Sequence, residues 1–446
     1  MREVAEGVGA DFCVDDSGNS LVRAPARSGE RPGPPVAVQA HLDMVCAAAP
    51  GADHDFERDP IVARRDGDRI FAQGTTLGAD NGIGVAAALA LLTEADLDCG
   101  PLELIFTVEE EIGLLGALRF DTSLLRTSSL INLDSEDDRA LTVGCAGGSE
   151  TILRLALEWE DVSDGWSCAE LHVSGLSGGH SGVQIHEHRA NATKLLVSVL
   201  ERAITGGVDV RLVSMTAGSA HNAIPNDAVT RLVIPADSIA TFTAIVSEAS
   251  GELEREWGDD EPGISIELKT IGPRPSSAVS SAASLGFLTL LRELPHGVIA
   301  MSPRFEDTVA SSANLALVRT EGETVEVLTS LRALAADELE AIAGGVRELG
   351  EKAGAGVQEK GGYPGWEPRQ GSPLVAAATA AYQRIHGRDP AIEVVHGGLE
   401  CGVLVDGDPE LDAISFGPLI REPHTPQEHV YASTVADTWR LLLELV

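Results

Sequence analysis

The stretch Val36–Val45, VAVQAHLDMV, decides how the rest of the chain is read. Its first half is short, apolar and valine-rich, which suits a strand covered on both faces of a parallel sheet. Side chains alternate along a strand, so His41 and Asp43 at its end point the same way. An imidazole that binds metal through one ring nitrogen needs a carboxylate or carbonyl on the other, to fix its tautomer and raise its basicity. A core histidine paired with an aspartate has the same pattern, so this stretch alone leaves both readings open.

Four further sites repeat the theme. Asp80 lies in TTLGADNGIG (75–84), where a glycine-rich loop enters the helical run 85–92; the plain alternative is a helix N-cap. In LELIFTVEEEIG (102–113) an apolar strand runs straight into Glu109, Glu110 and Glu111, where solvated acids are unexpected. SLINLDSED (129–137) is another apolar strand, ending in Asp134, and FGPLIREPHTP (416–426) holds His424 between prolines. Each has a structural alternative, but together they put oxygen and imidazole donors at several strand ends, where open α/β sheets carry their sites. Such donors without thiolate suit zinc, cobalt or manganese. Two ions about 3.5–4 Å apart polarise a carbonyl and acidify a bridging water. A carboxylate that is not a ligand must then move the proton to the leaving amine. The acidic triplet offers one acid more than the ligands require.

The motifs HLDMV (41–45), GTTLGADNGIG (74–84), TVEEEIG (107–113), NLDSED (132–137), GCAGG (144–148), GGHSG (178–182), NAIP (222–225), YPGW (363–366), HGGLECG (396–402) and PHTP (423–426) occur in this order. The set resembles the aminoacyl-histidine dipeptidase branch of the M20 metallopeptidases, over nearly the whole chain. That resemblance implies an α/β, two-domain M20-type fold. A mixed-sheet, zinc-binding catalytic domain (1–148 plus 367–446) would be interrupted by an inserted α+β lid and dimerisation domain (149–366). It also implies that His41 and Asp134 hold one ion, Glu111 and His424 the other, and Asp80 both, with the peptide bond after Asp80 often cis. Asp43 would clamp His41, and alignment on Gly113 makes Glu110 the general base, with Glu109 an extra acid.

His180 matches a lid histidine that holds the scissile carbonyl or oxyanion. Asn222, His396 and Glu400 are candidates for contact with substrate, with a turn role for Asn222 and a place behind the ligands for the other two as alternatives. The implied cofactors are two divalent ions, zinc first, cobalt or manganese otherwise. The implied substrates are unblocked dipeptides, Xaa-His among them. A tripeptide aminopeptidase, an N-acyl amino acid deacylase and a non-catalytic metal- or peptide-binding relative are the alternatives. Compared with that family, the chain starts inside the first helix, and Ala40 stands where relatives carry glycine.

At 446 residues the chain is long enough for two cores. Strand patterns at 169–173 and 229–234 and helical runs at 191–203 and 337–353 occupy the middle, and 24–35 reads as a loop. The net charge of -37 makes nucleic acid and anionic membranes poor partners. Only four of the 32 basic residues are lysines (Lys194, Lys269, Lys352 and Lys360), which suits either salt adaptation or a GC-rich genome. Six cysteines without C-x-x-C spacing, and no signal peptide or membrane-length apolar run, point to reduced thiols in the cytoplasm.

Overall fold

The computed structural model describes residues 1–27, 35–94 and 97–446. Most of the loop read at 24–35 therefore lies outside the described residues. The chain forms two compact units, Met1–Gly147 with Tyr363–Val446, and Gly148–Gly362. The second unit ends at Gly362 rather than at Trp366, as the sequence reading had it. Cys145 and Trp366 exchange backbone hydrogen bonds of 2.9 and 2.8 Å, and Trp366 is buried, which ties it to the first unit.

In the first unit an eight-stranded mixed sheet runs in the order Asp11–Val14, Ser20–Ala24, Leu102–Thr107, Val36–His41, Ser129–Asn132, Asp412–Ser415, Ala140–Cys145, Ala391–Val395. Val36–His41 is parallel to both neighbours, and all its residues after Val36 are buried. This is the two-sided burial that its largely apolar run requires. The neighbouring strand Leu102–Thr107 is buried throughout. Helices Ala79–Thr93, Pro373–His386 and Ala432–Leu445 contribute to one core with Leu91, Leu104, Ile131, Tyr382 and Leu442.

A small second sheet positions the segment that carries His424. Ile420–Arg421 pairs with His429–Tyr431, which pairs with Arg69–Ala72. The C-terminal hairpin that carries His424 is thereby hydrogen-bonded to a strand from the first quarter of the chain.

The second unit, by itself, is α+β. Its nine-stranded sheet includes Trp166–Ser174 paired antiparallel with Ala228–Pro235, extending the strand patterns read at 169–173 and 229–234. The helical runs become Ala192–Thr205 and Ala336–Lys352. Asn191 caps the first of these, accepting from the amides of Thr193 at 2.9 Å and Lys194 at 3.3 Å. No helix among the described residues is long and apolar enough to cross a membrane.

Candidate metal centre

His41 is the last residue of its strand, and Asp134 follows two residues after the strand Ser129–Asn132. Both therefore leave the same sheet edge. His41 Nε2 lies 2.9 Å from Asp80 Oδ1 and 3.1 Å from Asp134 Oδ1. On the other side of Asp80, His424 Nε2 lies 3.1 Å from Asp80 Oδ2 and 3.1 Å from Glu111 Oε2. Two triads, His41–Asp80–Asp134 and Asp80–Glu111–His424, each bring their donor atoms within 4.8 Å of one another. Asp80 belongs to both and turns one oxygen toward each.

The glycine-rich loop shows how Asp80 reaches this position. Asp80 is not the cap of its helix. Gly78 is, in the left-handed region at φ 71° and with no side-chain cap of its own. A Cβ at Gly78 would meet Met44 Sδ at 2.8 Å. Asp80 and Asn81 depart from helical geometry, and the bond between them is cis. Asn81 Nδ2 donates to the carbonyl of Leu133 at 2.6 Å, tying this turn to the strand end that carries Asp134. Gly84 permits the close approach, since a Cβ there would sit 2.5 Å from Asn81 Oδ1 and 2.9 Å from the Leu133 oxygen.

Asp43 does more than orient an imidazole. Its carboxylate is 3.5 Å from His41 Nδ1, and its two oxygens accept the backbone N–H groups of Glu110 and Glu111 at 3.1 Å each. The backbone carbonyl of Asp43 is closer to His41 Nδ1, at 3.0 Å. Burial opposes charge on Asp43, but His41 and the two amides outweigh it and hold its carboxyl below the ordinary range. Glu109 enters this turn at φ 57° and His424 sits at φ 61°. Non-glycine residues in that region cost roughly 1–3 kcal/mol each and gather at functional sites.

The electrostatics follow from crowding. Burial disfavours a charged His41, yet Asp134, Asp43 and Asp80 hold its pKa far above the imidazole norm. Contacts with Asp80 and Glu111 push His424 up to about 11 against the opposing effect of burial. Asp80 is held far below the carboxylate norm by the two histidines despite its burial. Burial and the carboxylates of Asp134, Glu400 and Glu111 push Glu110 well above its usual value, with His41 opposing. Burial, Asp80 and Asp134 likewise raise Glu136, a residue the sequence reading left without a role, to about 8. Charge on the two imidazoles thus offsets the crowding of the carboxylates.

The residues present fit divalent ions. Two imidazoles and three carboxylates make a hard-to-borderline donor set without thiolate. Glu111 Oε1 is buried without a hydrogen-bond partner. Such an orphaned acceptor is costly unless something positive satisfies it. Glu110 also falls within 4.8 Å of His41 and Glu111. Unlike Glu111, its carboxylate makes no ion pair with His424 among the described residues.

A buried polar chain adjoins the cluster. Glu400 accepts from Thr107 Oγ1 at 2.6 Å and from Gln39 Nε2. Gln39 Oε1 accepts from Asn132, and Ser415 Oγ donates to Asn132 Oδ1. Glu400 is completely buried, and burial raises it to about 7 while Thr107 and His41 oppose. Glu400, which the sequence offers either for substrate contact or for a place behind the proposed ligands, lies in this buried chain. His396 is buried as well.

In the second unit, His180 and Asn222 come from facing loop segments. The Ser181 amide donates to the Asn222 carbonyl at 2.7 Å. His180 Nδ1 accepts from the amides of Gly182 at 3.1 Å and Val183 at 3.2 Å. A neutral ring that accepts at Nδ1 carries its proton on Nε2, so His180 is set up as an Nε2–H donor. The buried Glu261, unnoticed in the sequence, accepts the amides of Ser177 at 2.6 Å and Ala190 at 3.0 Å, holding the two ends of this loop.

Comparison with known proteins agrees with this architecture. The chain is 37% identical to the cytosol non-specific dipeptidase of Escherichia coli, over 97% of this chain and 89% of that protein. Its fold matches the crystal structure of the aminoacylhistidine dipeptidase of Vibrio alginolyticus at a TM-score of 0.85 and 35% identity, covering 99% of this chain and 90% of that one. The aminopeptidase PepT of Bacillus cereus shares the fold at a TM-score of 0.53 and 16% identity, covering 100% of this chain and 90% of that one. The model of the peptidase family M20/M25/M40 matches residues 37–446, and the chain belongs to that family.

Proposed function

We propose that this protein is a metal-dependent dipeptidase that hydrolyses unblocked dipeptides, Xaa-His among them, with two divalent ions, zinc first. The observation that carries the reading is the position of Asp80, with one oxygen in each of two histidine–carboxylate triads. His41 and Asp134 would hold one ion, Glu111 and His424 the other, and Asp80 both. When bound, such a pair supplies the positive charge that polarises a carbonyl and acidifies water. Glu110, which falls within 4.8 Å of His41 and Glu111, takes a proton from the attacking water as a carboxylate and delivers it to the departing amine. Asp43 keeps Glu110 and Glu111 in register through their amides. His180 would donate from Nε2 to the oxygen that gains charge, and Asn222 would hydrogen-bond substrate. The cytoplasm is the compartment in this reading. A homodimer through the second unit is its assembly, supported by the exposed apolar residues Val298, Ile299 and Met301 on one strand.

The test is turnover of a panel of free dipeptides, including β-Ala-His and Gly-His, with zinc, cobalt or manganese. It is run in dilute buffer and in molar KCl beside Glu110→Ala, with tripeptides and N-acylated dipeptides as comparison substrates. Metal-dependent dipeptide cleavage should fall by about 10²–10⁴-fold in the variant while metal stays bound. Preference for tripeptides or acylated substrates would overturn the dipeptidase reading. Absence of turnover in the folded, metal-loaded protein would overturn catalysis.

A further inference from the structure

We propose that Glu428 is the positioning residue for Asp80, and that it governs how tightly the Asp80–Glu111–His424 triad holds its ion. The inference rests on the metal-site reading above. Four consecutive backbone N–H groups converge on this one side chain. Leu77 and Gly78 donate to Oε2 at 2.7 and 3.0 Å, and Ala79 and Asp80 donate to Oε1 at 2.7 and 3.3 Å. Glu428 is buried, at 2% exposure, so water does not offer these amides an easy substitute.

The need for this contact arises locally. The first amides of a helix have no intrahelical partner, and a side chain at the N-cap usually accepts one. Gly78 occupies the N-cap and has no side chain to offer. Carboxylate binding by such converging amides is favoured by both hydrogen bonding and the helix dipole. Here the carboxylate arrives from the far end of the sequence.

Its origin has a consequence for the centre. Glu428 lies four residues after His424, in a turn closed by the Glu428 amide on the Thr425 carbonyl at 3.0 Å and by Thr425 Oγ1 on the Glu422 carbonyl at 2.8 Å. The segment that supplies His424 therefore also grips the backbone that supplies Asp80. The 3.1 Å separation of His424 Nε2 and Asp80 Oδ2 is held by two connections, one through side chains and one through the Glu428 clamp. On the His41 side, Asn81 provides a separate tether to Leu133. Loss of Glu428 should consequently weaken one triad more than the other.

Glu428→Gln keeps the shape but offers one acceptor oxygen, turning an amide NH₂ toward two of the four donors. Competition against a chromophoric zinc chelator, with circular dichroism as the check on folding, reads the effect. Wild type should bind two ions. The variant should keep one near wild-type affinity and bind the other about 10- to 100-fold more weakly, the usual effect of a residue that orients a metal ligand. Its kcat should recover toward wild type as zinc is raised, with little change in KM. A Glu428→Gln protein that binds both ions as tightly as wild type overturns the inference. So does equal weakening of both ions. Wild type that binds no ion instead overturns the metal-site reading on which the inference rests. Hydrogen exchange on metal-free wild type gives an independent result that needs no folded variant. The amides of Leu77–Asp80 should exchange slowly, and rapid exchange there overturns the clamp.

Discussion

Replacing Asp43 by asparagine isolates one link between the sheet edge and the acidic turn. In the native protein each Asp43 oxygen accepts one amide, from Glu110 and from Glu111, at 3.1 Å. Asparagine retains a single oxygen, and its NH₂ must face the other N–H. One hydrogen bond to a charged acceptor is lost, which costs about 1.5–3 kcal/mol, and the surviving one becomes neutral and weaker. Asp43 is 27% exposed, so water relieves part of the loss and the total is about 2–3 kcal/mol. If that cost falls on the placement of Glu110, kcat/KM drops about 30- to 150-fold at ~1.4 kcal/mol per decade. Steady-state hydrolysis of a dipeptide at saturating zinc measures it, and Asp43→Ala, which lacks both acceptors, should fall further. The pH dependence has a definite sign. The folded pKa of Asp43 is depressed, so its stabilising contribution is complete above the unfolded carboxyl value near ~3.9 and is lost as pH falls through the folded value. An Asp43→Asn enzyme within about threefold of wild type would refute the claim that these two amides depend on Asp43.

Four other outcomes are expected. Zinc binding should release protons, because His41 and His424 are held protonated in the metal-free cluster, His424 up to about pH 11. Apparent affinity then rises about tenfold per pH unit for each proton displaced, and calorimetry in buffers of different ionisation enthalpy reads the number; a buffer-independent heat would contradict it. Without metal the sign for stability is opposite. The raised His424 pKa stabilises the fold fully below the ordinary imidazole value and loses that contribution as pH climbs toward about 11. Gly84→Ala places a methyl 2.5 Å from Asn81 Oδ1 and 2.9 Å from the Leu133 oxygen, so it should cost about 1–3 kcal/mol and lower zinc affinity; an unchanged melting temperature would show that the turn yields freely. With a net charge of -37, self-repulsion should be relieved by salt, so the thermal midpoint should rise from dilute buffer to molar KCl. A flat response would remove the argument for salt adaptation.

The strands that carry the proposed ligands were legible in the sequence because strands buried on both faces announce themselves as largely apolar runs, and donors at their ends have one edge to occupy. VAVQAH, LELIFT and SLIN became strands of one sheet, and His41, Asp134 and the acidic turn followed from that. The distinction between Glu110 and Glu111 rested on alignment to Gly113 alone. The tertiary structure adds that Glu111 contacts His424 and Glu110 does not. Contacts made to the backbone left no mark at all. Glu428 reads as an ordinary acid in a polar turn, Glu261 as one of a cluster of surface charges, and Asp43 as a partner for His41 alone. Their roles depend on amides presented by segments tens to hundreds of residues away. A backbone N–H carries no residue identity, so a side chain that binds one has no partner to be recognised by in the sequence. The local run of residues by itself determined which groups the strand ends offer as candidate ligands. Which backbone each buried carboxylate grips was decided only when folding brought the hairpin of His424 against Arg69–Ala72, closing contacts that no local pattern encodes.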